Sequence, residues 1–218
     1  MADSYSLSQY LQEIVSQINQ TFEAKSTVRD ATLNRSREVI RHCANSIRAI
    51  HRGDEADAGA LLATANTVAA EMIAESQAYP DVYYAGYTQD ALKELAEAHV
   101  TQAIILQKPL PTPEQLGIEF PAYLNGLAEG ASELRRFALD ALRRGDVTRA
   151  EQMLVHMDDI YSVLVTVDFS SAITGGLRRT TDVLRGVLER TRGDVTTAVR
   201  QEAMKTALQQ FEQRIGLE

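Results

Sequence analysis

Four glutamates have a spacing that could do chemistry. Glu94 and Glu97 lie three apart in Leu92-Lys93-Glu94-Leu95-Ala96-Glu97-Ala98, and Glu129 and Glu133 lie four apart in Tyr123-Leu124-Asn125-Gly126-Leu127-Ala128-Glu129-Gly130-Ala131-Ser132-Glu133-Leu134-Arg135-Arg136. Residues three or four apart share one face of a helix, so each stretch, if helical, presents a pair of carboxylates. If the two helices pack together, the four carboxylates converge into a set of oxygen ligands of the kind that Mg²⁺ or Mn²⁺ requires, and such a cation can activate water against a phosphodiester. The same spacing describes two solvated helix faces carrying ordinary glutamates. Spacing alone leaves both readings open.

The elements that must position these residues read as helices throughout. No Pro or Gly occurs between Met1 and Arg52. Leu7, Leu11, Ile14, Ile18 and Phe22, then Val28, Leu33, Ile40, Cys43, Ile47 and Ile50, carry an apolar seam at helical spacing, which predicts one or two long amphipathic helices with Cys43 as a buried thiol. Arg37, Arg41 and Arg48 form a basic stripe on this segment. They are the first candidates for phosphate contact, with solvated charge as the plain alternative.

Further helices are expected over 57–77, 88–107, 121–143, 146–166, 177–191 and 194–215, an all-α bundle of about seven. Arg-Gly-Asp occurs at 52–54, 144–146 and 192–194. A basic last turn, a glycine after the helix and an aspartate as the next N-cap make a helix-to-helix corner, so three tight turns are expected. Pro109, Pro111 and Pro113 mark the main loop, and Thr112-Pro113-Glu114 is expected to open a short helix. Gly126 and Gly130, unfavourable in mid-helix by about 1 kcal/mol relative to Ala, predict close approach by another element. The leucine seam of 121–143 puts Glu129 and Glu133 to one side, facing either a cavity or solvent. Tyr83, Tyr84 and Tyr87 are expected to pack at a corner.

The pattern Glu94-Leu95-Ala96-Glu97-Ala98, followed by Tyr123-Leu124, Glu129 and Glu133 ahead of Leu134 and Arg136, resembles the translin superfamily, and within it the catalytic, translin-associated factor X branch. The likeness is strongest over about 28–52 and 82–194. It implies a translin-like helical fold and a closed homo-octameric shell whose inner surface holds RNA. It also implies metal-dependent RNA cleavage, with the family's four carboxylates falling on Glu94, Glu97, Glu129 and Glu133 and Mg or Mn as cofactor. Position 129 departs from the pattern, with Glu in place of Asp. The basic and histidine-rich segment that the non-catalytic branch uses for nucleic acid is not recognisable after Tyr83-Tyr84, where this chain reads Ala85-Gly86-Tyr87.

Composition sets the remaining bounds. The 218 residues, 44% hydrophobic, suffice for one large domain over 1–218. No run approaches the ~20 apolar residues of a membrane span, and the start of the chain lacks a signal-peptide pattern, so a cytoplasmic protein is expected. The single cysteine excludes an intramolecular disulfide and a cysteine-based zinc site. A net charge of −8 argues against a protein that coats nucleic acid over its whole surface, but leaves room for an interior or local basic site. There is no β alternation, no Gly-rich phosphate loop, no Ser nucleophile elbow and no zinc-type His pair. The expected function is therefore a metal-dependent endoribonuclease acting on single-stranded or structured RNA. The alternatives are a non-catalytic homo-oligomer binding single-stranded RNA or DNA, and a purely structural helical oligomer.

Overall fold

Helix α1 runs unbroken from Leu7 to His51, as the absence of Pro and Gly allows. The computed structural model describes residues 6–215. In chain order there follow α2 (Glu55–Ser76), α3 (Pro80–Tyr83), α4 (Gly86–Ile105), α5 (Pro113–Leu116), α6 (Phe120–Arg143), α7 (Val147–Leu164), α8 (Ser171–Thr174) and α9 (Leu177–Ile215). Six are long, three are single turns, and no strand occurs among the described residues. No helix among them is long and apolar enough to cross a membrane.

Two of the Arg-Gly-Asp corners form as their chemistry dictates. Gly53 (φ +80°) and Gly145 (φ +81°) take the left-handed conformation that ends a helix. Asp54 and Asp146 then accept from the backbone N–H of Asp57 and Arg149, at 3.1 and 2.9 Å. The third copy forms no corner, because α9 passes straight through Gly193. Its charged residues are used between helices instead: Arg192 pairs with Asp158 of α7 and Asp194 with Arg135 of α6. Thr191 and Val195 are buried on either side of it, so the apolar seam crosses the tripeptide and holds the segment helical. Thr112 caps α5 in a reciprocal capping box with Gln115.

α4 and α6 form the centre. α1 packs on α4 and carries α2 on its other side, while α7 and α9 cover the far side of α6. One apolar cluster joins Val39, Cys43 and Ile47 of α1 to Met72 of α2 and Leu92 and Leu95 of α4. A second joins Val100 of α4, Leu134 and Ala138 of α6, Met153 and Met157 of α7, and Leu188 and Val195 of α9. Cys43 is fully buried, and burial pushes its thiol up to about 12. The first half of α1 behaves differently: Leu7, Leu11, Ile14, Ile18 and Phe22, the start of the same apolar seam, are 37–64% exposed. Met204, Leu208, Phe211 and Ile215 at the end of α9 are similarly uncovered.

Candidate metal centre

The two glutamate-bearing helices meet because α6 is nearly bare where it crosses α4. A Cβ at Gly126 would lie 2.5 Å from the carbonyl oxygen of Lys93 and 2.6 Å from the Cβ of Ala96, and one at Gly130 would lie 2.8 Å from Val100 Cγ1. Only glycine lets the backbones approach so closely. The mid-helix penalty of two glycines is thus tied to the distance between the carboxylate pairs.

At this crossing Glu94, Glu97 and Glu129 each offer an oxygen such that all three lie within 4.8 Å of one another. Glu97 is raised from 4.5 to about 8, first by burial and then by the charges of Glu94, Glu129 and Glu133. Glu94 is also raised, again chiefly by burial. Such a set of half-buried, mutually repelling oxygens fits a hard divalent cation, whose charge would relieve both effects. Glu97, Glu129 and Glu133 line a cavity of about 1010 Å³ that also takes in Tyr84, Lys93, Ser132 and Arg179.

Two residues outside the four glutamates organise the site. Lys93 Nζ donates to Glu129 Oε1 at 2.9 Å, and lies 2.7 Å from its Oε2 and 3.5 Å from Glu94. Burial acts to lower the lysine, but the Glu129 hydrogen bond and the charges of Glu129, Glu94 and Asp90 hold it above its ordinary value. It is an internal counter-ion seated among the carboxylates. His51, at the end of α1 and 1% exposed in its side chain, donates from Nε2 to Glu133 Oε1 at 2.8 Å. Arg136 reaches the same oxygen at 3.9 Å. Glu133 is therefore anchored from α1, apart from the Lys93 contact that holds Glu129.

Lys93 was visible only as a neighbour of Glu94, and nothing in the sequence marks His51, since its partner is 82 positions away. The basic stripe of α1 lies elsewhere. Arg37, Arg41 and Arg48 are exposed on α1 and line no part of the carboxylate cavity; Arg41 is 3.7 Å from Glu38 and Arg48 donates to Asn45. His99 donates to Asn66 of α2, and burial pulls it down to about 4. Tyr83 is buried, donates to Glu119 and meets Tyr84 edge-on, as corner packing requires, whereas Tyr84 is 62% exposed at the cavity.

No family model matches the chain. Over 194 residues, 88% of this chain and 85% of the relative, it is 30% identical to an uncharacterised protein of Methanocaldococcus jannaschii. Among solved structures it is similar to AfC3PO in complex with duplex RNA, with 32% identity and a TM-score of 0.77 over 88% of this chain and 97% of that one. AfC3PO by itself gives 31% and 0.76, over 86% and 97%. Both are translin-superfamily proteins. This chain belongs to the translin superfamily. NeC3PO, 20% identical with a TM-score of 0.78 over 84% of this chain and 96% of that one, shares the fold. Within this translin-superfamily fold, the α4–α6 crossing is where the acidic oxygens converge, and the Glu129 side chain is held there by Lys93.

Proposed function

We propose that the protein is an RNA-binding, Mg²⁺- or Mn²⁺-dependent endoribonuclease. The observation that carries this reading is the convergence of Glu94, Glu97 and Glu129, each with an oxygen within 4.8 Å of the other two, with Glu97 and Glu129 lining the cavity. Similarity at 32% identity to AfC3PO, described in complex with duplex RNA, supports RNA as the ligand.

In this reading Glu94, Glu97 and Glu129 hold the cation, with Glu133 completing the set. When bound, the cation supplies charge neutralisation at a scissile phosphate and acidifies water. The protein's own groups do the rest. His51 holds Oε1 of Glu133, which leaves Oε2 as the oxygen that would complete the set. Lys93 balances Glu129 and lines the cavity with a positive charge that an entering phosphate would meet. Gly126 and Gly130 hold α6 against α4, so the pairs cannot drift apart. Arg37, Arg41 and Arg48 offer further phosphate contacts along α1.

The same reading takes residues 1–218 as a single domain of a cytoplasmic homo-oligomer, an octameric shell. The uncovered apolar seams at the start of α1 and the end of α9 support association between copies, since contiguous exposed apolar faces mark interaction surfaces. The test is cleavage of an end-labelled single-stranded RNA with Mn²⁺ or Mg²⁺ against EDTA, with Glu129→Gln in parallel. Metal-dependent cuts that vanish in the variant are expected. Salt-sensitive RNA retention without cutting would instead establish a binding protein of the non-catalytic kind.

A further inference from the structure

We propose that the groove between the C-terminal ends of α1 and α6 is a second RNA site, a phosphate track for the strand leaving the carboxylate cavity. It rests on the RNA reading above. The groove, about 840 Å³, is lined by Arg52, Arg135, Arg136, Arg143 and Arg144, with Asp140 as its one lining acid. Five guanidinium groups in one groove of a chain with net charge −8 are a local concentration of the kind that selects a polyanion.

The pairing of these arginines leaves most of them available. Arg135 is held by Asp194 at 2.7 Å and donates to Thr191, so it forms the floor. Arg143, 81% exposed, and Arg52, 60% exposed, make only 3.5 Å contacts with Asp140 and Asp57. Arg144 is exposed and has no ion pair among the described residues. Basic residues in a last turn also complement a helix dipole, which accounts for Arg52 and Arg143. Arg136, two turns before the end of α6, is not explained that way.

Continuity with the carboxylates points to RNA over any other polyanion. Ser132 lines both the groove and the cavity. His51 lines the groove while donating to Glu133 on the cavity side. A strand with one phosphate at the carboxylates can thus run over Ser132 and lay its following phosphates along Arg136, Arg143, Arg144 and Arg52. Arginine suits this role because its planar fork pairs bidentately with phosphate.

The experiment follows binding of a fluorescein-labelled single-stranded RNA by anisotropy, in EDTA and over a range of KCl. The full-length protein is compared with Arg52→Gln/Arg143→Gln/Arg144→Gln, and light scattering and Mn²⁺-dependent cleavage are measured on the same samples. Each lost phosphate contact flattens the plot of log affinity against log salt by about 0.7, so the triple variant should flatten it by about 2 and bind at least about tenfold more weakly at low salt. An unchanged slope while the parent binds RNA would overturn the groove and leave the nuclease reading standing. So would a change in oligomeric mass, which would make the groove a contact between subunits. A parent that binds but does not cut removes the nuclease reading, and the groove is still judged by the slope. A parent that binds no RNA removes both.

Discussion

Replacing Glu97 with glutamine should stabilise the metal-free protein, and the gain should depend on pH. Glu97 is pushed from 4.5 to about 8 by burial and by Glu94, Glu129 and Glu133. Its folded value lies above its unfolded one, so the stability contributed by the neutral carboxyl is fully present below about pH 4.5 and is lost as the pH rises to about 8. Between those limits the native state loses about 1.4 kcal/mol per pH unit through this group. From pH 5 to pH 8 that is on the order of 3–4 kcal/mol. For a domain of this size about 1 kcal/mol moves Tm by roughly 2–4 °C, which corresponds to a gap of about 6–16 °C. Glutamine keeps the shape and removes the ionisation. Thermal unfolding in EDTA should therefore show Glu97→Gln melting well above the parent at pH 8, with the gap closing towards pH 5. Saturating Mn²⁺ should reverse the order, because an ion that binds the native state stabilises only a protein able to hold it. If the variant melts at or below the parent at pH 8 in EDTA, or if the gap does not vary with pH, Glu97 is not a strained carboxyl and the electrostatic account of the cavity is wrong.

Three further outcomes follow from the same geometry. Lys93→Met removes the ammonium held by Glu129 and should lower Tm in EDTA, by about 1–3 kcal/mol of stability for a half-buried pair, while increasing the gain on adding Mn²⁺, both read by thermal shift. Gly126→Ala sets a methyl 2.5 Å from a backbone carbonyl oxygen; despite the better helix propensity of alanine it should destabilise by about 1–3 kcal/mol through overpacking, seen as a lower urea midpoint, and weaken Mn²⁺ stabilisation by prising α6 off α4. Phe22→Glu, on a side chain 64% exposed in the single chain, should leave helix content by circular dichroism unchanged and reduce the assembly mass by light scattering.

The sequence by itself determined what depends on neighbours along the chain. Helical seams, the corners at Gly53 and Gly145, the capping box at Thr112 and the buried Cys43 are local consequences of spacing and of a few residue types, so they could be read without coordinates. The close approach at Gly126 and Gly130 was legible because glycine in mid-helix has a penalty that only tight packing offsets. Tertiary structure decided the rest. Arg192-Gly193-Asp194 has the residues of a corner, yet its charges find Asp158 and Arg135 and the Thr191–Val195 seam carries α9 through it; local chemistry lost to packing. The seam from Leu7 to Ile50 has one continuous period, but which part of it is covered depends on where α2 and α4 end against it. Convergence of Glu94, Glu97 and Glu129, with Lys93 between the pairs and His51 anchoring Glu133, depends on the rotation and axial offset of α1, α4 and α6. Those are properties of how helices meet, and helical periodicity, which repeats identically along each helix, carries no information about them.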